Sequence, residues 1–215
     1  MINSNYASNF CMPKFSKGTS EKIITILAEL EEGLHKKIEN ITVDIINNKP
    51  VDEALYFGRK NEQIFYRVVQ TVSTSFSTRL GQKMEEIALC VLEAGGSTNI
   101  KSKKEAKPVD LKFSHPDGHE YWIEMKSIFG QNKSNNATIE KEKKRAKKAG
   151  KKFLLCVYNE DKEDGDETKS GPDFWNFIGH DDDTWDNLSK ILSDEGERFN
   201  LSEIIQNKID ELTKP

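Results

Sequence analysis

Apolar residues recur with helical spacing through the N-terminal third of the chain. A helix is predicted to open at Thr19-Ser20, with one of these two residues as its N-cap. Its stripe of isoleucine and leucine extends toward Ile38. The stretch from residue 51 to about residue 80 has the same spacing, which predicts one or two further helices. We therefore expect a helical layer in this third of the chain. Its core candidates in the second stretch are Phe57, Ile64, Phe65, Val68 and Val69.

Alternation of period two, which is typical of a half-buried strand, appears in the middle of the chain. Residues 109–114 predict a first strand in which Asp110 lies on the polar side. The Pro-Asp-Gly sequence that follows has turn chemistry, because proline presets φ, aspartate tolerates the bend and glycine accepts a positive φ. Residues 120–128 predict a second strand with Glu124 and Lys126 on one face. A hairpin of these two strands brings Asp110 beside that face.

The other segments alternate between helical and strand patterns. Residues 81–94 predict a helix that ends at a Gly-Gly pair, and residues 153–158 are a continuous apolar run, which is typical of a buried strand. A strand series followed by a helical crossover favours an α/β fold, with a mixed central β-sheet flanked by helices and with added N- and C-terminal helices. The remaining predicted elements are a short strand at 97–100, loops at 101–104 and 159–172, a basic helix at 135–149 and helices at 173–178, 184–192 and 201–212.

Length and composition indicate one domain of ordinary size, with 215 residues of which 32% are charged. We expect a helical region at residues 1–80, packed on or beside a core at residues 81–215 that includes the C-terminal helices. Apolar runs stay far below the roughly 20 residues of a membrane span, and the N-terminus lacks the apolar segment of a signal peptide. Because the apolar runs are short, we expect no membrane partner. The three cysteines lack CxxC spacing, so we expect reduced thiols and a cytoplasmic location.

The net charge of −4 hides a segregation of charge along the chain. Residues 141–152 are densely basic, whereas residues 160–186 are rich in Asp and Glu. A basic patch on an acidic protein attracts phosphates through its local field, so we expect Lys144, Arg145 and Lys148 to contact phosphates. A solvated helix face is the alternative interpretation. The polar segment after the second strand adds candidates for base or phosphate contacts, or forms an ordinary loop: Asn132, Lys133, Ser134 and Asn135.

Glu85 is an unusual residue of the helix predicted at 81–94. On a helical wheel it lies between Leu89 and Leu92 on the apolar side, whereas Glu86 lies on the polar stripe. A carboxylate on a buried helix face is costly unless it has a partner. Two interpretations remain open: Glu85 joins a functional site, or it is a partly exposed residue that pairs with a lysine.

Asp110, Glu124 and Lys126 combine two hard oxygen ligands with an amine. Mg²⁺ prefers oxygen ligands and keeps several waters, so two or three carboxylates suffice, and Glu85 can supply the third contact directly or through water. A bound cation polarises a phosphate and lowers the pKa of an attacking water, while Lys126 can orient that water or stabilise charge on the phosphate. The alternative is a surface ion pair on a two-stranded ribbon.

These residues resemble a known signature. Pro-Val-Asp at 108–110, followed after thirteen residues by Glu-Met-Lys at 124–126, resembles the PD-(D/E)XK nuclease motif, with one residue added between Pro and Asp. The helix that carries Glu85 is similar to the first core helix of that superfamily, and the element order from 82 to 158 is similar to its αβββαβ core. Within the superfamily the chain resembles type II restriction endonucleases of the TdeIII-type group, through segments at 79–85, 108–110, 123–127 and 171–175.

This resemblance implies a Mg²⁺-dependent type II restriction endonuclease, with Mn²⁺ as a substitute cation, that hydrolyses phosphodiester bonds in double-stranded DNA at a short specific sequence. It implies that Asp110, Glu124 and Glu85 bind the metal and act in catalysis together with Lys126. It also implies a homodimer and a cognate DNA methyltransferase as partner. Two other functions remain open on the same core: a nuclease of DNA repair or recombination, and a DNA-binding protein without catalysis.

Overall fold

The structure is a computed structural model, which describes residues 15–47, 60–127, 133–160, 165 and 167–214. Helices form both ends of this described part, and strands occupy its middle. The helices are α1 (Lys17–Glu39), α2 (Val43–Asn47), α3 (Lys60–Ala94), α4 (Lys103–Ala106), α5 (Lys133–Lys148), α6 (Gly171–Gly179), α7 (Thr184–Arg198) and α8 (Leu201–Thr213). The strands are β1 (Thr98–Lys101), β2 (Leu111–Ser114), β3 (Glu120–Lys126), β4 (Lys152–Val157) and β5 (Thr168–Ser170).

The described strands form a mixed sheet in the order β1-β2-β3-β4-β5. Strands β1, β2 and β3 are antiparallel neighbours, whereas β4 runs parallel to β3 and β5 runs parallel to β4. Helix α5 connects β3 to β4, because a parallel pair needs a crossover rather than a tight turn. The predicted α/β architecture, a mixed central sheet flanked by helices, is confirmed.

Strand β3 lies in the middle of the sheet and has two covered faces. Ile123 belongs to the largest buried cluster, together with side chains of α1, α3, α6 and α7, and we call this side the α3 face. Trp122 packs instead against a cluster that contains Ala146 of α5 and Phe153 of β4, and we call this side the α5 face. Since successive strand residues point to opposite sides, Glu124 and Lys126 share the α5 face with Trp122.

The helical layer joins both ends of the described chain. Ile38 of α1, Ile64 and Val68 of α3 and Ile209 of α8 are buried together in a separate apolar cluster. The predicted burial of Ile64 and Val68 is confirmed. The prediction that Phe65 belongs to the core is wrong, because half of its surface is exposed. The predicted core residue Phe57 lies outside the described residues.

Helix α3 runs without interruption over 35 residues, which corrects the predicted helix start at Gly81. Glycine inside a helix costs about 1 kcal/mol relative to alanine. Buried residues lie on both sides of Gly81 and pack the two halves of the helix against separate apolar clusters. They include Val72 before the glycine and Met84 after it. Tertiary packing therefore overrides the local preference for a break.

Two glycines have the backbone geometry that the sequence predicts. Gly96 follows α3 with φ of 80°, and the Ser97 N–H donates to the Leu92 carbonyl, which closes the helix end. Gly118 has φ of 85° in the turn between β2 and β3. The turn fixes the hairpin register, in which Leu111 is paired with Ile123.

Three short elements depart from the sequence prediction. Helix α4 lies where a loop at 101–104 was expected, β5 lies within the predicted loop at 159–172, and α2 was not predicted. Helix α5 begins at Lys133, two residues before its predicted start. Among the described residues, no helix combines the length and hydropathy needed to cross a membrane.

Candidate functional site

Asp110 lies immediately before β2, at a local irregularity of the hairpin. Its backbone N–H donates to the Ile123 carbonyl at 3.0 Å, although Leu111 is the residue that pairs with Ile123 in the ladder. Two residues opposite one are the mark of a β-bulge, which re-aims side chains. The strict alternation predicted from Val109 is therefore wrong, because Val109 packs on the α5 face and Leu111 on the α3 face.

The Asp110 carboxylate is 4% exposed and has two partners. Its Oδ2 accepts a hydrogen bond from the Met125 N–H at 2.9 Å, and its Oδ1 lies 2.8 Å from the Lys103 Nζ. Because Met125 lies between Glu124 and Lys126 in β3, the predicted proximity of Asp110 to these two residues is observed.

Glu124 is 9% exposed, and its Oε1 lies 2.5 Å from the Lys126 Nζ. Burial raises the pKa of the Glu124 carboxyl, and the negative charges of Asp110 and Glu142 act in the same direction. The hydrogen bond and the charge of Lys126 oppose them, but the pKa stays above its ordinary value. The pair is thus partly buried, unlike the surface ion pair that was the alternative interpretation.

Glu85 reaches the same region from helix α3. Its side chain is 21% exposed, whereas that of Glu86 is 45% exposed, so the wheel assigned the two carboxylates to the correct sides. The Glu85 Oε1 lies 2.9 Å from the Lys103 Nζ, and Glu86 pairs with Lys83 instead. The lysine partner considered for Glu85 is therefore present, and that lysine also holds Asp110.

Lys103 of α4 links the helix carboxylate to the strand carboxylate, a role that the sequence did not predict. Burial alone would lower the pKa of its ammonium, but hydrogen bonds to Asp110 and Glu85 and the charges of both outweigh burial and raise that pKa above its ordinary value. Lys103 is therefore a fixed positive charge between two carboxylates. Nothing in the Lys101–Lys104 run separates it from its neighbours, because its partners come from distant segments.

Glu142 of α5 is a second residue of this region that the sequence prediction missed. It is 6% exposed, and burial together with the charge of Asp110 raises the pKa of its carboxyl, against the opposing charges of Lys126, Arg145 and Lys141. A signal existed: Glu142 lies three residues after Ile139 and four before Ala146, the two residues of α5 that pack on the α5 face. The same wheel argument that identified Glu85 identifies Glu142.

The chemistry of these residues fits a hard divalent cation. The side chains of Glu85, Asp110, Glu124 and Glu142 offer carboxylate oxygens, the ligands that Mg²⁺ prefers. Oε2 of Glu142 is a buried oxygen without a hydrogen-bond partner in the described chain. Among the described residues, no three His, Cys, Asp or Glu side chains already surround a common cation position. The ammonium of Lys103 lies instead between Glu85 and Asp110, which shows that this point attracts positive charge.

The candidate DNA contacts belong to α5 or to the segment before it. Lys144, Arg145 and Lys148 are exposed on the helix, as a DNA-contacting surface requires. Asn132 lies outside the described residues. Lys133, Ser134 and Asn135 belong to the first turn of α5, which begins two residues before the predicted helix start at Asn135.

The structure thus brings Asp110, Glu124, Lys126 and Glu85 to one region and adds Lys103 and Glu142 to them. Helix α3 supplies one carboxylate, the hairpin supplies two, and α4 and α5 close the region from the sides. No protein-family model matches this chain, and a search of curated proteins found no significant match.

Proposed function

We propose that this chain is a Mg²⁺-dependent type II restriction endonuclease of the PD-(D/E)XK superfamily. It hydrolyses phosphodiester bonds in double-stranded DNA at a short specific sequence. The observation that carries the proposal is the hydrogen bond from the Met125 N–H to Asp110 Oδ2, because it holds one carboxylate beside the strand that bears Glu124 and Lys126. Two buried carboxylates and an amine at one point of a sheet suit a hard cation and phosphate chemistry.

Each residue of the set has a defined task in this proposal. Asp110 and Glu124 bind Mg²⁺, and Glu85 adds a contact directly or through a water. Bound Mg²⁺ supplies charge neutralisation at the scissile phosphate and lowers the pKa of a water. Lys126, whose ammonium lies 2.5 Å from Glu124, orients the attacking water or stabilises the charge that develops on the phosphate.

The order of elements supports the same superfamily. Helix α3 is followed by β1, β2 and β3, then by α5 and β4, with the short α4 inserted between β1 and β2. This order is similar to the αβββαβ order of that superfamily's core. In the proposal, Glu85 of α3 takes the role of the acidic residue of the first helix, and Asp110, immediately before β2, and Glu124 and Lys126 of β3 take the roles of the motif residues.

The proposed DNA partner approaches along α5. Lys144, Arg145 and Lys148 offer exposed positive charge, which binds phosphates without regard to sequence. The resemblance implies that this endonuclease acts as a homodimer and that a cognate methyltransferase protects the same site in the host. Mn²⁺ replaces Mg²⁺, because both cations accept carboxylate ligands.

The test is incubation of the purified protein with phage DNA in Mg²⁺, in Mn²⁺ and in EDTA. We expect discrete fragments with either cation and intact DNA with EDTA. A smear, or cleavage at branched DNA only, would instead indicate a repair or recombination nuclease. Intact DNA with every cation would remove the nuclease proposal and leave the DNA-binding function.

A further inference from the structure

Glu142 is a buried acid on a helix whose other described charged residues are exposed or half-buried. Helix α5 is strongly basic, and Lys144 and Arg145, which follow Glu142 closely, are exposed, whereas Glu142 is 6% exposed. It occupies the same helical face as Ile139 and Ala146, which pack on the sheet. An apolar side chain would fill this position without the desolvation that a carboxylate suffers.

Nothing in the described chain satisfies the carboxylate of Glu142 fully. Its Oε2 is buried and lacks a hydrogen-bond partner. Buried polar atoms of native proteins are paired in the large majority of cases, so that an orphaned oxygen points to a missing partner such as an ion. Among the described residues, no lysine or arginine forms an ion pair with Glu142. Glu85, Asp110 and Glu124, in contrast, each form an ion pair with a lysine.

Glu142 lies on the face of α5 that packs against the same side of the sheet as Glu124. The α5 face of the sheet carries Glu124 and Lys126, and it is the face against which α5 packs. The charge of Glu142 acts on the pKa of Glu124, and the charges of Asp110 and Lys126 act on the pKa of Glu142. The carboxylates of Asp110 beside β2, Glu124 of β3 and Glu142 of α5 therefore lie in one region.

We infer that Glu142 is a further carboxylate ligand of the divalent cation at Asp110 and Glu124, an inference that rests on the cation site of the proposed function. The charges of the set agree with it. Together with Glu85 the region holds four carboxylates, whereas Lys103 and Lys126 supply two positive charges. Glu142 is the one of these four carboxylates that has no ion pair among the described residues, and a cation contact would supply the partner that its Oε2 lacks.

Calorimetric titration with Mn²⁺, in the absence of DNA, tests this inference apart from catalysis. The variant is Glu142→Gln, which keeps the shape and removes the charge, and the matched control is Glu140→Gln, an exposed glutamate of the same helix. We expect Glu142→Gln to weaken Mn²⁺ binding by about tenfold or more and to reduce the rise in Tm that Mn²⁺ produces. Glu140→Gln retains the wild-type affinity.

The outcomes separate this inference from the proposed function. Equal Mn²⁺ affinity of wild type and a folded Glu142→Gln variant overturns the role of Glu142 and leaves the nuclease proposal intact. A wild-type protein that binds no Mn²⁺ overturns both. Mn²⁺ binding that depends on Glu142, in a protein that cleaves no DNA, upholds the ligand and removes the nuclease. If Glu142→Gln fails to fold, Glu142→Asp takes its place, because it keeps the charge but withdraws the carboxylate by one methylene. An unchanged Mn²⁺ affinity of Glu142→Asp overturns the inference as well.

Discussion

Asp110 and Met125 are fifteen residues apart in the chain, yet the Asp110 carboxylate accepts a hydrogen bond from the Met125 N–H at 2.9 Å. This interaction ties the start of β2 to the part of β3 that bears Glu124 and Lys126. A backbone donor cannot be removed by a side-chain substitution, so the position of Asp110 depends on the hairpin itself. The hairpin therefore holds the carboxylate in place before any ligand binds.

Glu85 and Glu86 form a matched pair for testing the contribution of helix α3. Glu85 faces Lys103 beside Asp110, whereas Glu86 faces Lys83 and is more exposed. We expect Glu85→Gln to lower the Mg²⁺-dependent cleavage rate by about tenfold or more, because the variant lacks a carboxylate that binds the metal or supports its ligands. Glu86→Gln should remain close to wild type. Equal rates for both variants, measured on one DNA substrate, would exclude Glu85 from the site.

In the proposed cation site, Lys103 would compete with a divalent cation for Asp110 and Glu85. The Lys103→Met variant lacks the ammonium that compensates the charges of Asp110 and Glu85. In the absence of metal, its free energy of unfolding should therefore be lower than that of wild type. The difference should be only about 1 kcal/mol, because the Lys103 side chain is largely exposed. The affinity for Mn²⁺ should rise a few-fold, because the variant lacks this ammonium. Urea unfolding and Mn²⁺ calorimetry measure the two effects, with Lys104→Met as the control. A lower Mn²⁺ affinity in Lys103→Met would show that Lys103 supports the cation site instead.

Asp117 stabilises the turn that sets the hairpin register. Burial raises the pKa of its carboxyl, but hydrogen bonds from the His119 N–H and the Tyr121 hydroxyl outweigh burial, so the pKa lies below its ordinary value. The resulting stabilisation is complete above the unfolded-state pKa of about 4 and is lost as the pH falls through the folded-state pKa. Asp117→Asn should therefore reduce the free energy of unfolding at pH 7, by about 1 kcal/mol or less, and the deficit should shrink as the pH is lowered below about 4. A deficit independent of pH in urea unfolding would show that the charge of Asp117 is not involved.

The exposed basic residues of α5 predict a salt-dependent affinity for DNA. Replacing Lys144, Arg145 and Lys148 by Ala should reduce the slope of log K against log salt by about 0.9 for each phosphate that the variant no longer neutralises. Binding should weaken on all DNA sequences alike, because interactions with phosphate carry no sequence information. A control variant removes exposed lysines of helix α1: Lys17, Lys36 and Lys37. An unchanged slope of log K against log salt in the α5 variant would show that these residues face solvent and do not contact DNA phosphates.

Local chemistry explains why much of the hairpin was predictable from sequence. Pro-Asp-Gly specifies a turn, and Gly118 has the positive φ that the turn requires. The position of Glu85 followed from helical periodicity, which depends on its neighbours within two turns. The bulge at Asp110 did not follow, because it depends on how the Asp110 N–H meets the Ile123 carbonyl of another strand.

Interactions between distant segments account for the residues that sequence patterns missed. Lys103 is one of several similar lysines until Glu85 of α3 and Asp110, immediately before β2, become its partners. Strand β5 consists of polar residues and exists because β4 offers it an open edge, with Thr168 paired to Leu155. The continuity of α3 through Gly81 likewise depends on the packing of both halves. Glu142 is the exception, since its spacing from Ile139 and Ala146 was visible in the sequence.

Lys126 gives the most direct test of the proposed nuclease. Wild type, Lys126→Ala and the control Lys104→Ala are compared for Mg²⁺-dependent cleavage of phage DNA and, in parallel, for binding to the same DNA without Mg²⁺. We predict that Lys126→Ala cleaves at least about a hundredfold more slowly, because it lacks the group that orients water or stabilises charge, while its DNA affinity stays near that of wild type. Lys104→Ala should cleave normally. Full cleavage by Lys126→Ala, or no Mg²⁺-dependent cleavage by wild type, would contradict the assignment of Asp110, Glu124 and Lys126 as a nuclease site.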